Sequence, residues 1–415
     1  MNSFAEKIQR YFGVNLAYII RGGFWLGLDQ VLAAAVSFIL SVAFANLISQ
    51  EAYGTYRYVL SFFSILTITT LPNMGIATIS YVARGFEGLL FQALKMRVRW
   101  GVFGSLISLG IGVYYTWQGN GELAPAFFLM AAFLPFIDPL SSYGAYLEGK
   151  KLFRLRAELS ILVRIVSAGA LIGTMALTEN LLWILLAYFL PYLIIHPIFF
   201  LLTIKKFPPN QQVDVKMISY GKQLSALQLL GVAVNYFDNL LIFNSLGAAS
   251  LAVYSIANAP ISKLQLGFSV LSDLALPKFS EKPVAEVRRW LGGKILKVFL
   301  VVALAVATYI FAAPYLFNWL LPKYVASIFY TQLLSLGLLA WPFGLIYTFL
   351  QAHAFKQRIY QYNLAIRIVQ LILISVLVYW YGILGAVAAR LLFQAFSVFT
   401  LLFLFSRTQN SEAAN

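Results

Sequence analysis

Long apolar runs separated by short basic connectors dominate the chain. Stretches such as residues 298–311 and 371–378 are almost continuously apolar, without the period-two alternation of a membrane-spanning strand. Runs of about 20 to 28 residues match helices that cross the hydrocarbon layer. The pattern predicts six spans in the first half, near residues 24–46, 54–82, 100–117, 123–148, 157–177 and 180–204. After a polar connector at 205–216, six more follow near 219–245, 250–276, 294–318, 325–354, 362–381 and 383–405. The expected architecture is an all-α polytopic membrane protein with about 12 transmembrane helices.

Composition agrees, since 61% hydrophobic and 11% charged residues leave too little polar surface for a water-soluble globule. The charge then fixes an orientation. Lys and Arg crowd one set of connectors (Arg84, Lys95, Arg97, Arg99; Lys150, Lys151, Arg154, Arg156; Lys205, Lys206, Lys216; Lys278 to Lys294; Lys356, Arg358), while the other set holds little beyond Arg57 and Lys323. Basic connectors stay in the cytoplasm, so both termini are expected there. The same topology accounts for most of the net charge of +15 and removes the need for a nucleic-acid partner, because basic loops lie against anionic lipid headgroups. The first 23 residues lack a compact apolar segment with a small-residue cleavage site, so they are expected to be retained. The chain contains no cysteine, which excludes disulfides and thiolate metal sites.

An internal repeat appears when the chain is slid on itself by about 198 positions. Gln30 then meets Gln228, Leu32 meets Leu230, Ala35 meets Ala233, Val36 meets Val234, Asn46 meets Asn244 and Tyr56 meets Tyr254. The expected domains are two six-helix bundles, residues 1–208 and 209–415, related by a pseudo-two-fold axis along the membrane normal. Such bundles suit alternating access around a central cavity.

Charges inside spans point to chemistry, since each costs about 2.5–3.5 kcal/mol or more at mid-membrane. Lys263 lies about 13 residues, or about 20 Å, from either end of its span, beyond snorkelling reach. It calls for a cavity, or for a carboxylate partner such as Asp238 or Asp138. Arg57, Arg164 and Arg390 lie nearer the boundaries, where headgroups are within reach, and Arg21 marks the inner mouth of the first span. Asp29, Asp138 and Asp238 fall within spans, either as helix-to-helix ion pairs or as carboxyls that exchange a coupling ion. His196 and His353 lack metal-ligand spacing and are read as structural. Pro72 with Asn73 and Gly75, and Pro260 just before Lys263, mark bends. Gly169 and Gly173 have the spacing of a close helix contact. No phosphate-binding glycine loop, nucleophile elbow or paired-His motif is present, so neither an enzyme nor a cofactor is expected.

Two stretches carry a family resemblance. One runs from Leu26 and Gln30 through Ala45 and Asn46 to Glu51-Ala52-Tyr53-Gly54-Thr55-Tyr56 and Leu60-Ser61-Phe62. The other runs from Phe237-Asp238-Asn239 through Leu246-Gly247-Ala248-Ala249 and Val253-Tyr254-Ser255-Ile256-Ala257 to Leu276-Pro277. The chain resembles the polysaccharide transport family of oligosaccharide flippases, in the superfamily that also holds lipid II flippases and multidrug and toxin exporters. The resemblance implies transfer of a polyprenyl-diphosphate-linked oligosaccharide across a bacterial cytoplasmic membrane, with a polysaccharide polymerase and glycosyltransferases as partners. It also implies a cationic cavity, with Arg21, Arg57 and Lys263 in the places of the basic residues of lipid II flippases; Arg390, about two turns inside the last span, is a further candidate substrate contact. The competing expectations are a cation-coupled multidrug exporter, built on Asp29, Asp138 and Asp238, and a scaffold for a glycosyltransferase complex.

Overall fold

The computed structural model describes residues 16–353 and 355–407, without the side chains of residues 16–22, 230, 266–274, 277 and 356. Every regular element among the described residues is helical. In chain order they are α1 (Leu16–Leu47), α2 (Gln50–Leu66), α3 (Met74–Val82), α4 (Leu90–Trp117), α5 (Leu123–Leu140), α6 (Ser142–Gly149), α7 (Phe153–Leu177), α8 (Leu181–Lys206), α9 (Lys216–Leu246), α10 (Ala248–Ser280), α11 (Val284–Leu320), α12 (Ser327–Leu336), α13 (Gly344–Ala352) and α14 (Lys356–Ser406). Eight helical segments among the described residues are long and apolar enough to cross a membrane, and a ninth arises if α2 and α3 form one bent span.

Breaks within spans follow the chemistry of the sequence. A 3-10 turn at Thr67–Thr70 and left-handed Leu71 (φ 53°) precede Pro72, and the chain bends by 45° before α3. Pro342 similarly lies in the 3-10 segment Gly337–Phe343, between α12 and α13. Proline removes a helical donor and clashes with the preceding turn, which accounts for the bend at Pro72 and for the tighter 3-10 winding at Pro342. Pro260, by contrast, leaves α10 continuous.

The long α14 doubles back on itself. At Gly382, φ is 58° and ψ is −133°, a conformation open in practice to glycine alone. Near its two ends Arg358 donates to the Arg407 carbonyl at 3.2 Å, and Tyr362 meets Ser397 at 2.7 Å. In a straight helix the first pair would stand about 74 Å apart. α14 is therefore two antiparallel arms joined at the position where the apolar pattern predicts a loop.

The described residues form two compact units. One contains the chain through Ile48 together with Val59–Val232; the other contains Ser49–Tyr58 and the chain from Ala233. In the first unit, α4 turns a face of small residues inward: Gly101, Gly104, Ser105, Ser108 and Gly112 are buried, while Phe103, Leu106, Ile107 and Val113 are exposed. Ser105 and Ser108 donate to the α5 carbonyls of Ala131 and Phe127 at 2.7 and 2.8 Å. A Cβ on Gly104 would lie 2.5 Å from Thr69 Oγ1. Small side chains permit such close approach where water supplies no hydrophobic drive. The spacing of Gly169 and Gly173 misleads in this respect, because a Cβ added at either would meet nothing within 4 Å.

In the second unit, α11 begins as an amphipathic helix. Val287, Leu291 and Ile295, one turn apart, pack with Phe279, Leu345, Phe349 and Leu401.

Candidate functional site

The intramembrane acids of the first unit are held by arginines. Asp138 on α5 accepts from Arg97 Nη2 at 2.5 Å and from Thr70 Oγ1 at 2.6 Å. The rest of the Arg97 guanidinium bonds the Thr70 carbonyl at 3.1 Å and Ser142 Oγ at 2.6 Å, with the residue 3% exposed. Arg97 is thus a buried structural cation and not the connector charge expected from its neighbours Lys95 and Arg99. Asp29 on α1, 1% exposed, accepts from Arg164 at 2.7 Å and Arg156 at 3.3 Å, and Arg156 also bonds Glu148 at 3.0 Å. Arg164 therefore does not reach for headgroups; it bridges α7 to α1.

These groups border a polar cavity of about 360 Å³, lined by Arg97, Asp138, Glu148, Arg156, Arg164 and His196 among others. His196 is buried with its Nδ1 3.2 Å from the Tyr143 hydroxyl, and the His353 ring lies between the Phe349 and Lys282 carbonyls, 3.1 Å from Nδ1 and 3.0 Å from Nε2. Both histidines serve structural contacts here. No group of three potential metal ligands occurs among the described residues.

The second unit differs in its charge balance. Asp238 on α9 accepts from Arg390 Nη2 at 2.7 Å and from the Tyr254 hydroxyl at 2.7 Å, while Arg390 Nη1 donates to Asn258 at 2.6 Å. Asp138 and Asp238, the carboxylates expected as partners for Lys263, are thus committed to arginines. Lys263 itself, half-buried on α10, has no carboxylate within 4 Å among the described residues. Arg57 donates through Nε to Ser255 Oγ at 3.4 Å, two turns before Lys263 along α10. The side chain of Arg21 lies outside the described residues.

One further cation escaped the sequence reading. Arg367, in the first arm of α14, bonds only neutral groups among the described residues, Asn235 at 3.1 Å and Gln370 at 3.3 Å. Its position within an apolar run, as for Lys263, was the available signal.

The two stretches that carry the family resemblance meet in this unit. A Cβ on Gly54 would fall 1.8 Å from the Ala248 carbonyl oxygen, so the glycine permits α2 to touch the start of α10. Tyr58 stacks on Phe243 with centroids 3.8 Å apart and meets Asn244 at 3.4 Å. Arg57 and Ser255 are 198 positions apart, the offset of the internal repeat.

Apolar multi-span architecture with charges held inside the spans defines a multi-pass helical membrane protein. Residues 19–282 match the family described as polysaccharide biosynthesis protein, and the chain belongs to that family. Its fold is similar to that of a lipid II flippase, MurJ, in an inward closed conformation (TM-score 0.64, 16% identity, 93% of this chain and 87% of that one). It is also similar to a multidrug resistance MATE family transporter of the MOP superfamily, inward-facing (TM-score 0.61, 16% identity, 92% and 96%), and to a eukaryotic MATE transporter (TM-score 0.59, 11% identity, 93% and 96%). No curated protein sequence matches the chain.

Proposed function

We propose that the protein is a flippase that carries a polyprenyl-diphosphate-linked oligosaccharide across the bacterial cytoplasmic membrane for surface polysaccharide biosynthesis, by alternating access. Lys263 carries this reading: it is a half-buried cation on a membrane helix with no carboxylate within 4 Å among the described residues. An uncompensated charge at that depth costs about 2.5–3.5 kcal/mol or more, and an anionic solute would offset the cost. A diphosphate leaving water needs charge-assisted donors, which Lys263, Arg57 and Arg367 supply. Arg21 and Arg390 are assigned to the same anionic path, Arg390 under the restraint of Asp238. The lipid-linked oligosaccharide and the surrounding lipids are the partners, with a polymerase and glycosyltransferases acting on either side.

Twelve spans with both termini in the cytoplasm fit this reading. To the nine segments above are added the second arm of α14 and the helices α4 and α10, whose glycines, serines and other small or polar residues lower their hydropathy. The repeats would then be residues 1–208 and 209–415.

The multidrug exporter is the alternative, favoured by the likeness to MATE transporters. A cationic drug needs free carboxylates, and Asp29, Asp138 and Asp238 are each neutralised by arginine. If these residues couple transport to an ion, the pairs must open during the cycle.

The test is complementation of cells that lack the gene, with lipid-linked saccharide quantified on each leaflet. Lys263→Ala should abolish transfer while membrane insertion is retained, and Lys263→Arg should keep part of it. Normal surface glycan with the alanine variant would overturn the assignment, and drug efflux that needs Asp238 but not Lys263 would favour the exporter.

A further inference from the structure

A second cationic feature of the second unit lies away from Lys263. The end of α10, the start of α11 and the segment from Trp341 to Leu345 enclose an open cavity of about 600 Å³. Its walls are apolar and aromatic, with Phe279, Trp290, Val298, Trp341 and Leu345, and Lys278, Lys282, Lys294 and Lys297 stand around it.

The lysines are unequally engaged. Lys282 pairs with Glu286, and Lys294 lies 3.9 Å above the Trp290 ring. Lys278 and Lys297 are exposed and have no ion-pair partner among the described residues. Glu281 is the acidic member of the lining, so the rim remains net cationic.

The position of the cavity along α11 tells what it meets. Charged and polar residues end at Lys297, and the unbroken apolar run begins at Val298. The lysines and Trp290 therefore lie at headgroup depth, whereas Val298, Trp341 and Leu345 lie at the level of the acyl chains. A groove with cations at one end and aromatic walls at the other is complementary to one molecule that is both phosphorylated and acylated.

We propose that this cavity binds an anionic phospholipid, with its phosphodiester held by Lys278, Lys294 and Lys297 and an acyl chain laid against Trp341, Val298 and Leu345. The bound lipid screens lysines that would otherwise repel one another and ties the charged start of α11 to the surrounding leaflet. The proposal stands independently of which solute the protein carries.

Tryptophan quenching tests it directly, since Trp290 and Trp341 belong to the walls. The full-length protein is reconstituted in phosphatidylcholine vesicles, and phosphatidylglycerol brominated on its acyl chains is titrated in at low mole fraction. Preferential quenching over brominated phosphatidylcholine is expected, and the excess should vanish in Trp290→Phe/Trp341→Phe. Lys278→Gln/Lys297→Gln should weaken the preference about five-fold for each lysine removed. The same change at the exposed pair Lys95 and Arg99 should leave it intact, which separates a site from general surface charge. Equal quenching by the two lipids, or an unchanged preference in the Lys278→Gln/Lys297→Gln protein, would overturn the proposal. Displacement of the lipid by inorganic phosphate alone, or by a polyprenyl diphosphate at equal mole fraction, would overturn it too, the latter in favour of a substrate docking site.

Discussion

Arg97 shows how a single side chain changes meaning between sequence and structure. In the run Lys95, Met96, Arg97, Val98, Arg99 all three cations look like one connector signal. Helical geometry separates them, because residues two apart point to nearly opposite faces while residues four apart share one. Lys95 and Arg99 are accordingly exposed, and Arg97 is buried against Asp138. The partner could not be read from the sequence, since it depends on how α4 and α5 pack. Removing one member of such a pair leaves an uncompensated buried charge, so Arg97→Met should destabilise the protein by about 3 kcal/mol. Thermal unfolding in detergent measures this, and Arg97→Met with Asp138→Leu should recover much of the loss. Lys263 is the converse case: its place within an apolar run singles it out in the sequence, and Asp138 and Asp238, the carboxylates that would make it ordinary, pair with arginines.

At the scale of elements, the apolar runs locate nearly every helix, because hydrocarbon demands internal hydrogen bonding along each span. Their contacts were less legible. Gly169 and Gly173 show the spacing of a packing motif yet border open space, whereas Gly54, unremarked apart from its place in Glu51–Tyr56, touches the Ala248 carbonyl. Spacing identifies a face; only tertiary structure decides whether a neighbour lies against it. Gly54→Ala should therefore cost at least about 1–3 kcal/mol through overpacking against backbone that has little room to move. Gly110→Ala, where nothing lies within 4 Å, is the matched control. Size-exclusion profiles and melting temperatures of the two purified variants should diverge, and equal stability would show that α2 and α10 separate at no cost.

At the scale of the whole molecule, the repeat and the basic connectors predict twelve spans with both ends inside. The absence of cysteine makes this simple to check, since any introduced thiol is unique. Asn120→Cys should react with a membrane-impermeant maleimide in intact cells, and Lys206→Cys only after permeabilisation. Labelling of both from outside would contradict the alternation. Two compact units are present, but their bounds differ from the expected halves of the repeat: residues 49–58 group with the later part of the chain and residues 209–232 with the earlier. A match of residues along the chain and the compactness of a unit are different properties, since the second depends on which side chains pack together.

The pairing of Asp29 with Arg164 bears on how the protein is made. These residues are 135 positions apart, and Asp238 precedes Arg390 by 152, while Asp138 finds Arg97 already synthesised. At about 5 to 20 residues per second, α1 waits about 7 to 27 s in the membrane with its carboxylate uncompensated. During that interval the carboxylate lowers the favourable free energy of inserting the first helix by about 2.5–3.5 kcal/mol, a cost that is relieved when α7 arrives.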